Sequence, residues 1–184
     1  IVKLAVEKIL KKNVLVVGAG IKTGLNIRID NPAQLGSDLV VDSVAAIVEY
    51  PAPLLIFDLG TANTVCVIDK NKNYIGGMIY PGIGVSLDSL TAHASQLGGI
   101  SIEAPEHMIG KNTTECMKSG LIYSSAAAMD GIIDRLQEQL GGEATVIATG
   151  GLAKKIVPHC RREIILDDDL LLKGLAIIYK KNRK

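Results

Sequence analysis

Residues 54–80 constrain this chain more than any other stretch. Three apolar runs, at 54–59, 64–69 and 74–80, are separated by two short turns, Gly60-Thr61-Ala62-Asn63 and Asn71-Lys72-Asn73. Strands this short, joined by turns this tight, form an antiparallel meander. The meander begins abruptly. Pro51-Ala52-Pro53 ends a helical pattern at 36–50, in which Leu39, Val40, Val44, Ala45 and Val48 share an apolar face. This proline pair is the best boundary in the chain and predicts one unit at 1–53 and a second at 54–184, with the last helix packing back on the first unit.

Strand and helix patterns alternate around the meander. Residues 2–10 read as an amphipathic helix, and Val14-Leu15-Val16-Val17 as a short buried strand closed by Gly18-Ala19-Gly20. Helices are expected at 86–94 and 120–140, the second stopped by Gly141-Gly142. A buried strand follows at 145–148, and a last helix at 170–180 behind Asp167-Asp168-Asp169, acidic residues suited to a helix N-terminus. The class is α/β.

Composition removes several function classes. Apolar residues make up 48% of the 184 residues and charged residues 21%, which excludes intrinsic disorder. The net charge is +1 and aromatic residues are only 3%, so the chain has neither the basic footprint nor the stacking platforms of a nucleic-acid binder, and no basic face for an anionic membrane. The basic tail at 180–184 reads as a frayed, solvated end. Cys66, Cys116 and Cys160 form no CxxC pair and have no His at ligand spacing, which fits a reducing cytosol and a cytoplasmic protein. No apolar run is long enough to span a membrane, and the charged start at Lys3, Glu7 and Lys8 is no signal peptide. The chain starts with Ile, so a fragment is expected.

The glycine turns carry the chemistry. Gly18-Ala19-Gly20-Ile21-Lys22-Thr23-Gly24 is a near miss for both the dinucleotide fingerprint and the Walker loop, and reads better as a plain turn. Asp58-Leu59-Gly60-Thr61 is more informative. Phe57 and Ile56 draw the Asp58 carboxylate to a buried strand end, where an unpaired charge is expensive. Either a cation, donor cluster or ligand metal neutralises it beside the hydroxyls of Thr61 and Thr64, or the aspartate caps its own hairpin. Pro81-Gly82-Ile83-Gly84 before a helix and Thr149-Gly150-Gly151 after a strand have related character. With Asp58 they fit a nucleotide cleft of the sugar-kinase or actin type; three unrelated tight turns are the alternative. Asp38, at the start of a helix, is either a cap or a proton acceptor for a substrate hydroxyl, and sequence alone favours the cap.

Taken in order, Gly20-Ile21-Lys22-Thr23-Gly24-Leu25-Asn26-Ile27, Asp58-Leu59-Gly60-Thr61, Pro81-Gly82-Ile83-Gly84-Val85-Ser86, Ile109-Gly110-Lys111-Asn112-Thr113 with Met117-Lys118-Ser119-Gly120, and Ala148-Thr149-Gly150-Gly151-Leu152-Ala153 span nearly the whole chain. This series resembles the type III pantothenate kinases, some of which carry the older label of Bvg accessory factor, a transcriptional activator. The resemblance implies two ribonuclease-H-like lobes of the acetate and sugar kinase/Hsc70/actin (ASKHA) type, usually in a homodimer. It implies phosphorylation of pantothenate by ATP, the first step of coenzyme A synthesis, with a monovalent cation (K+ or NH4+) and Mg2+. Carried over by motif, Asp38 is the proton acceptor, Gly36, Ser37, Asp38 and Leu39 line the pantothenate site, and Thr113 touches the same substrate. Asp58 holds the monovalent cation, while Gly60, Thr61, Gly82, Gly150 and Gly151 serve ATP.

Two departures stand beside the resemblance. Leu39 occupies the position of the arginine in the family's Gly-x-Asp-Arg motif, and it cannot give a carboxylate the charged, bidentate hydrogen bonds of a guanidinium. The family's Asp-x-Gly-Asn-Thr phosphate loop does not occur in this sequence. The chain is therefore expected to be N-terminally incomplete and inactive alone. These departures motivate an alternative, a non-catalytic relative acting as a regulatory binding protein.

Overall fold

A computed structural model describes residues 2–94 and 96–183. Its centre is one six-stranded sheet built from β1 (Asn26–Ile27), β2 (Leu54–Leu59), β3 (Ala62–Ile68), β4 (Asn73–Pro81), β5 (Thr145–Thr149) and β6 (Ile165–Leu166), in the order β1-β4-β3-β2-β5-β6. The meander at 54–81 forms as the sequence predicts, with β3 antiparallel to both β2 and β4. Strands β5 and β6 extend it in parallel from β2.

Period-two alternation sends the two sides of β2 into different layers. Leu55, Phe57 and Leu59 pack against α3 (Ile83–His93), α4 (Thr113–Leu140) and α5 (Ala153–Ile156), where Ile122, Met129, Ile133 and Ile156 are fully buried. Leu54 and Ile56 face the other way, onto Ala45, Ala46 and Ile47 of α2 (Ser37–Glu49) and Leu170 of α6 (Leu170–Asn182). Asp58 has the parity of Leu54 and Ile56, so the alternation aims it at the α2 layer.

Helix α1 (Val2–Leu10) forms where the amphipathic pattern puts it, yet buries none of its residues. Three expectations need correction. Residues 14–17 form no strand: Leu15 and Val16 are exposed, and the sheet edge beside β4 is taken by β1. A β-branched run becomes a strand only where an edge is free to pair with it. The basic tail is not frayed through its first residues either. Helix α6 continues through Asn182, whose side chain accepts from the Lys22 N–H at 3.1 Å and donates to the Lys22 carbonyl at 2.9 Å, while Lys181 Nζ donates to the Thr23 carbonyl at 2.8 Å. The 18–24 turn is thus docked on the end of α6. Helix α4 starts at Thr113 rather than 120, because Asn112 Oδ1 accepts from the Glu115 N–H at 3.0 Å and Glu115 Oε2 accepts from the Lys111 N–H at 2.9 Å. Among the described residues no helix is long and apolar enough to cross a membrane.

Candidate active site

Parallel strands β2, β5 and β6 end on the same side of the sheet, and open α/β sheets bind ligands outside such carboxyl ends. In register, Asp58 of β2 lies between Thr64 of β3 and Thr149 of β5, so one carboxylate and two hydroxyl side chains form a row on the α2 face. Helix α2 brings Asp38 and Asp42, four residues apart and hence on one helical face, over this row. The result is a cavity of about 430 Å³ lined by Asp38, Asp42, Asp58, Thr149, Asp168 and Leu171, with Gly150 and Gly151 at its rim.

The charges in this cavity are unevenly balanced. Asp168 pairs with Lys154 at 2.5 Å. Asp167, just outside, accepts from Tyr50 Oη and Lys173 Nζ, each at 2.7 Å. Burial opposes its charge, but those two donors outweigh burial and hold its carboxyl below the ordinary carboxylate value. Asp38, Asp42 and Asp58 have no cationic partner among the described residues. Asp42 is only 2% exposed, and its Oδ1 is sealed without a hydrogen-bond partner, as is Thr64 Oγ1. Burial and the nearby Asp38 carboxylate raise the proton affinity of Asp58. Burial, followed by Asp58, Asp38 and Asp167, pushes Asp42 up to about 7.

Asp38 sits in the first turn of α2. Gly36, the N-cap of α2, has no side chain to offer the helix, and Asp38 Oδ1 accepts from the Leu39 N–H at 3.0 Å. The residue is nonetheless exposed and faces the cavity. Ser37 is exposed beside it, and Leu39 is half-buried in the layer between α2 and the sheet.

The glycine turns meet at the 58–61 turn. Gly82 N–H donates to the Thr61 carbonyl at 3.0 Å, and a Cβ on Gly82 would overlap the Gly60 carbonyl and sit 2.6 Å from that of Thr61. From the other side, Gly150, at φ +94°, passes so near that a Cβ would overlap Asp58 Oδ1. These two glycines are required by the packing of the protein itself. Gly151 is exposed with open space where its side chain would be, and Thr61 is exposed as well. Thr113 lies elsewhere: it opens α4 and lines a separate, mostly apolar hollow of about 680 Å³ with Pro81, Ser86, Leu90 and Met117.

The sequence reading picks out Asp38, Asp58, Gly150 and Gly151, and the fold brings them together. It misses Asp42 and Asp168. The spacing of Asp38 and Asp42 on one amphipathic helix could have flagged Asp42, since a carboxylate among Val40, Val41 and Val44 is out of place on an apolar face. Among the described residues no three His, Cys, Asp or Glu side chains converge tightly enough to cage a metal by themselves. The donors are carboxylate and hydroxyl oxygens, which suit a hard cation completing its shell with water or phosphate oxygens.

Known proteins share sequence and fold with this chain. The chain is 46% identical over 170 residues to a type III pantothenate kinase of Exiguobacterium sp. AT1b, covering 92% of this chain and 66% of that protein. It spans about two thirds of the length of the curated relatives it matches. Among solved structures it is similar to one described as a Baf family transcriptional activator from Campylobacter jejuni, with a TM-score of 0.55 at 22% identity over 85% of this chain and 68% of that one. It is also similar to the ethanolamine utilization protein EutJ from Carboxydothermus hydrogenoformans, with a TM-score of 0.51 at 15% identity over 96% of this chain and 70% of that one. The fold is thus the α/β, actin-like fold of the ASKHA type. The sequence profile described as type III pantothenate kinase matches residues 2–135, and the chain belongs to the type III pantothenate kinase family.

Proposed function

We propose that the complete protein transfers the γ-phosphoryl group of ATP to the hydroxyl of pantothenate, giving 4'-phosphopantothenate for coenzyme A synthesis. The observation that carries this reading is the single cavity shared by Asp38, Asp58, Gly150 and Gly151, residues contributed by three separate motifs. Asp38 Oδ1 is held by the Leu39 N–H, which orients the carboxylate and leaves Oδ2 to take the hydroxyl proton as the oxygen attacks phosphorus. Gly36, Ser37 and Leu39 would border pantothenate, and Thr113, which the motif also assigns to that substrate, lines the separate hollow at the start of α4. Asp58 would hold a monovalent cation, and Thr61 and the exposed backbone at Gly151 would meet the nucleotide. Bound K+ or NH4+, with Mg2+, supplies the positive charge that balances phosphate oxygens and the cavity carboxylates. The chain's own contribution is to keep that charge site dry on one side and rigid, through the Gly82 and Gly150 contacts on the 58–61 turn.

In this reading residues 1–53 are the remainder of one lobe and 54–184 the second. The two parts are not packed separately, since α2 covers β2 and β1 extends the sheet. ADP release by the complete protein tests the function. Turnover that requires both pantothenate and K+, with Na+ as control, is expected. ATP turnover that ignores pantothenate, or none at all, overturns the assignment.

Leu39 favours a second reading, a non-catalytic regulatory relative. It is packed half-buried against the core layer, where no charged group is offered to the pantothenate carboxylate. Calorimetry with ATP and pantothenate separates the two: tight ternary binding supports the kinase, and heat-silent titrations support the regulator.

A further inference from the structure

We propose that Asp42 joins Asp58 in holding one hard cation at the carboxyl ends of β2 and β5, so that the ion is gripped from helix α2 as well as from the sheet. The inference rests on the cation assigned to Asp58 in the proposed function and adds a ligand-bearing residue from a different element.

The first argument is the orphaned oxygen. Asp42 is 2% exposed and its Oδ1 is sealed from solvent with no donor in reach. Leaving a buried carboxylate oxygen unsatisfied is costly, and native structures almost always supply a partner. The second argument is direction. Asp42 lines the same cavity as Asp58, although its helical neighbours Val41, Val44 and Ala45 are core residues. The third is the distribution of cations. Lys154 neutralises Asp168 and Lys173 neutralises Asp167, while Asp42 and Asp58 are left without one among the described residues. A neighbouring Thr64 Oγ1, also sealed and unpartnered, sits beside Asp58 in register. Two carboxylates repel each other across a cavity until an ion lies between them; the same closeness then becomes attraction to the shared charge. With too few converging side chains to cage a metal alone, the ion keeps water or phosphate oxygens in the rest of its shell.

Thermal unfolding of the complete protein in KCl and, separately, MgCl2, each against choline chloride at constant ionic strength, tests this. A rise in Tm in either salt identifies the ion. The Asp42→Asn protein is expected to match or exceed the wild-type Tm in choline, because a repelling charge is gone. Its half-saturating cation concentration is expected to rise at least about tenfold. Asp58→Asn is expected to lose the response in the same way. If Asp58→Asn loses the response and Asp42→Asn keeps the wild-type half-point, Asp42 is no ligand and the inference is overturned while the role of Asp58 stands. If both variants respond as wild type does, the cation reading of Asp58 falls with it. Asp42→Ser repeats the measurement with a smaller side chain, so that poor folding of one variant does not decide the result.

Discussion

The backbone of Gly150 passes so close to Asp58 that a Cβ at position 150 would overlap Asp58 Oδ1 and lie 2.6 Å from the Leu59 nitrogen and 2.7 Å from the Leu59 carbonyl. The contact joins the ends of two parallel strands and fixes where the Asp58 carboxylate can point. At φ +94° the position also disfavours any L side chain. Gly150→Ala should therefore destabilise the protein by about 2–4 kcal/mol and displace Asp58. Gly151→Ala, facing open space, should stay within about 0.5 kcal/mol of wild type while weakening ATP binding. Denaturant midpoints and nucleotide titrations on the pair check both halves of the contrast.

Asp38 is exposed, and its side chain accepts a hydrogen bond from the Leu39 N–H. An amide oxygen can keep that bond, so Asp38→Asn should leave the unfolding midpoint almost unchanged. Loss of the proton acceptor should lower kcat by about 10²–10⁴ in the complete protein. Normal turnover in that variant would show that Asp38 only caps its helix.

The parts legible in the sequence are those whose cause is local. Alternation and tight turns suffice for β2, β3 and β4, and the apolar stripe with Pro51 suffices for α2. The start of α4 was equally readable, since Asn112-x-x-Glu115 spells a helix start, with Asn112 accepting from the Glu115 N–H and Glu115 reaching back to the Lys111 N–H. Residues 14–17 were not, because whether a β-branched run pairs depends on a sheet edge that β1, a dipeptide without strand pattern, occupies instead. In the site, Asp58 announces itself by following apolar strand residues. Asp42 is legible in the sequence only as a carboxylate misplaced among valines; that it shares a cavity with Asp58 depends on α2 lying over β2, which is a tertiary fact.

Where α6 crosses α2, Gly174 faces Val41. A Cβ there would overlap the Val41 carbonyl and come 2.7 Å from Val41 Cγ1. Only backbone separates the helices at this point, and Val41 is next to Asp42. Gly174→Ala should cost about 1–3 kcal/mol by pushing α6 outward. It should also weaken the cation response of the Tm, since α2 carries both Asp38 and Asp42. A variant of wild-type stability would mean that the helices separate without strain.

Stability should depend on pH through Asp42, with a sign opposite to that of an ordinary paired carboxylate. Its pKa is 3.8 unperturbed and about 7 in the folded chain, chiefly through burial and then through Asp58. Between those values the folded protein holds a proton that the unfolded chain has released. Stability is therefore fully present below about pH 4 and is lost as pH rises towards 7, by up to about 4 kcal/mol. Asp167, held below the ordinary value, contributes in the other direction and at lower pH. Subtracting Asp42→Asn from wild type removes that contribution, because the amide does not titrate. In choline buffer the stability advantage of the variant should grow steadily from about pH 4.5 to 7.5, read from urea midpoints at each pH. Saturating cation should flatten the wild-type curve, because an ion between Asp42 and Asp58 favours the charged carboxylates that burial alone disfavours. A constant difference across that range would mean that Asp42 titrates like a solvated acid, and that its sealed oxygen finds a partner in solution.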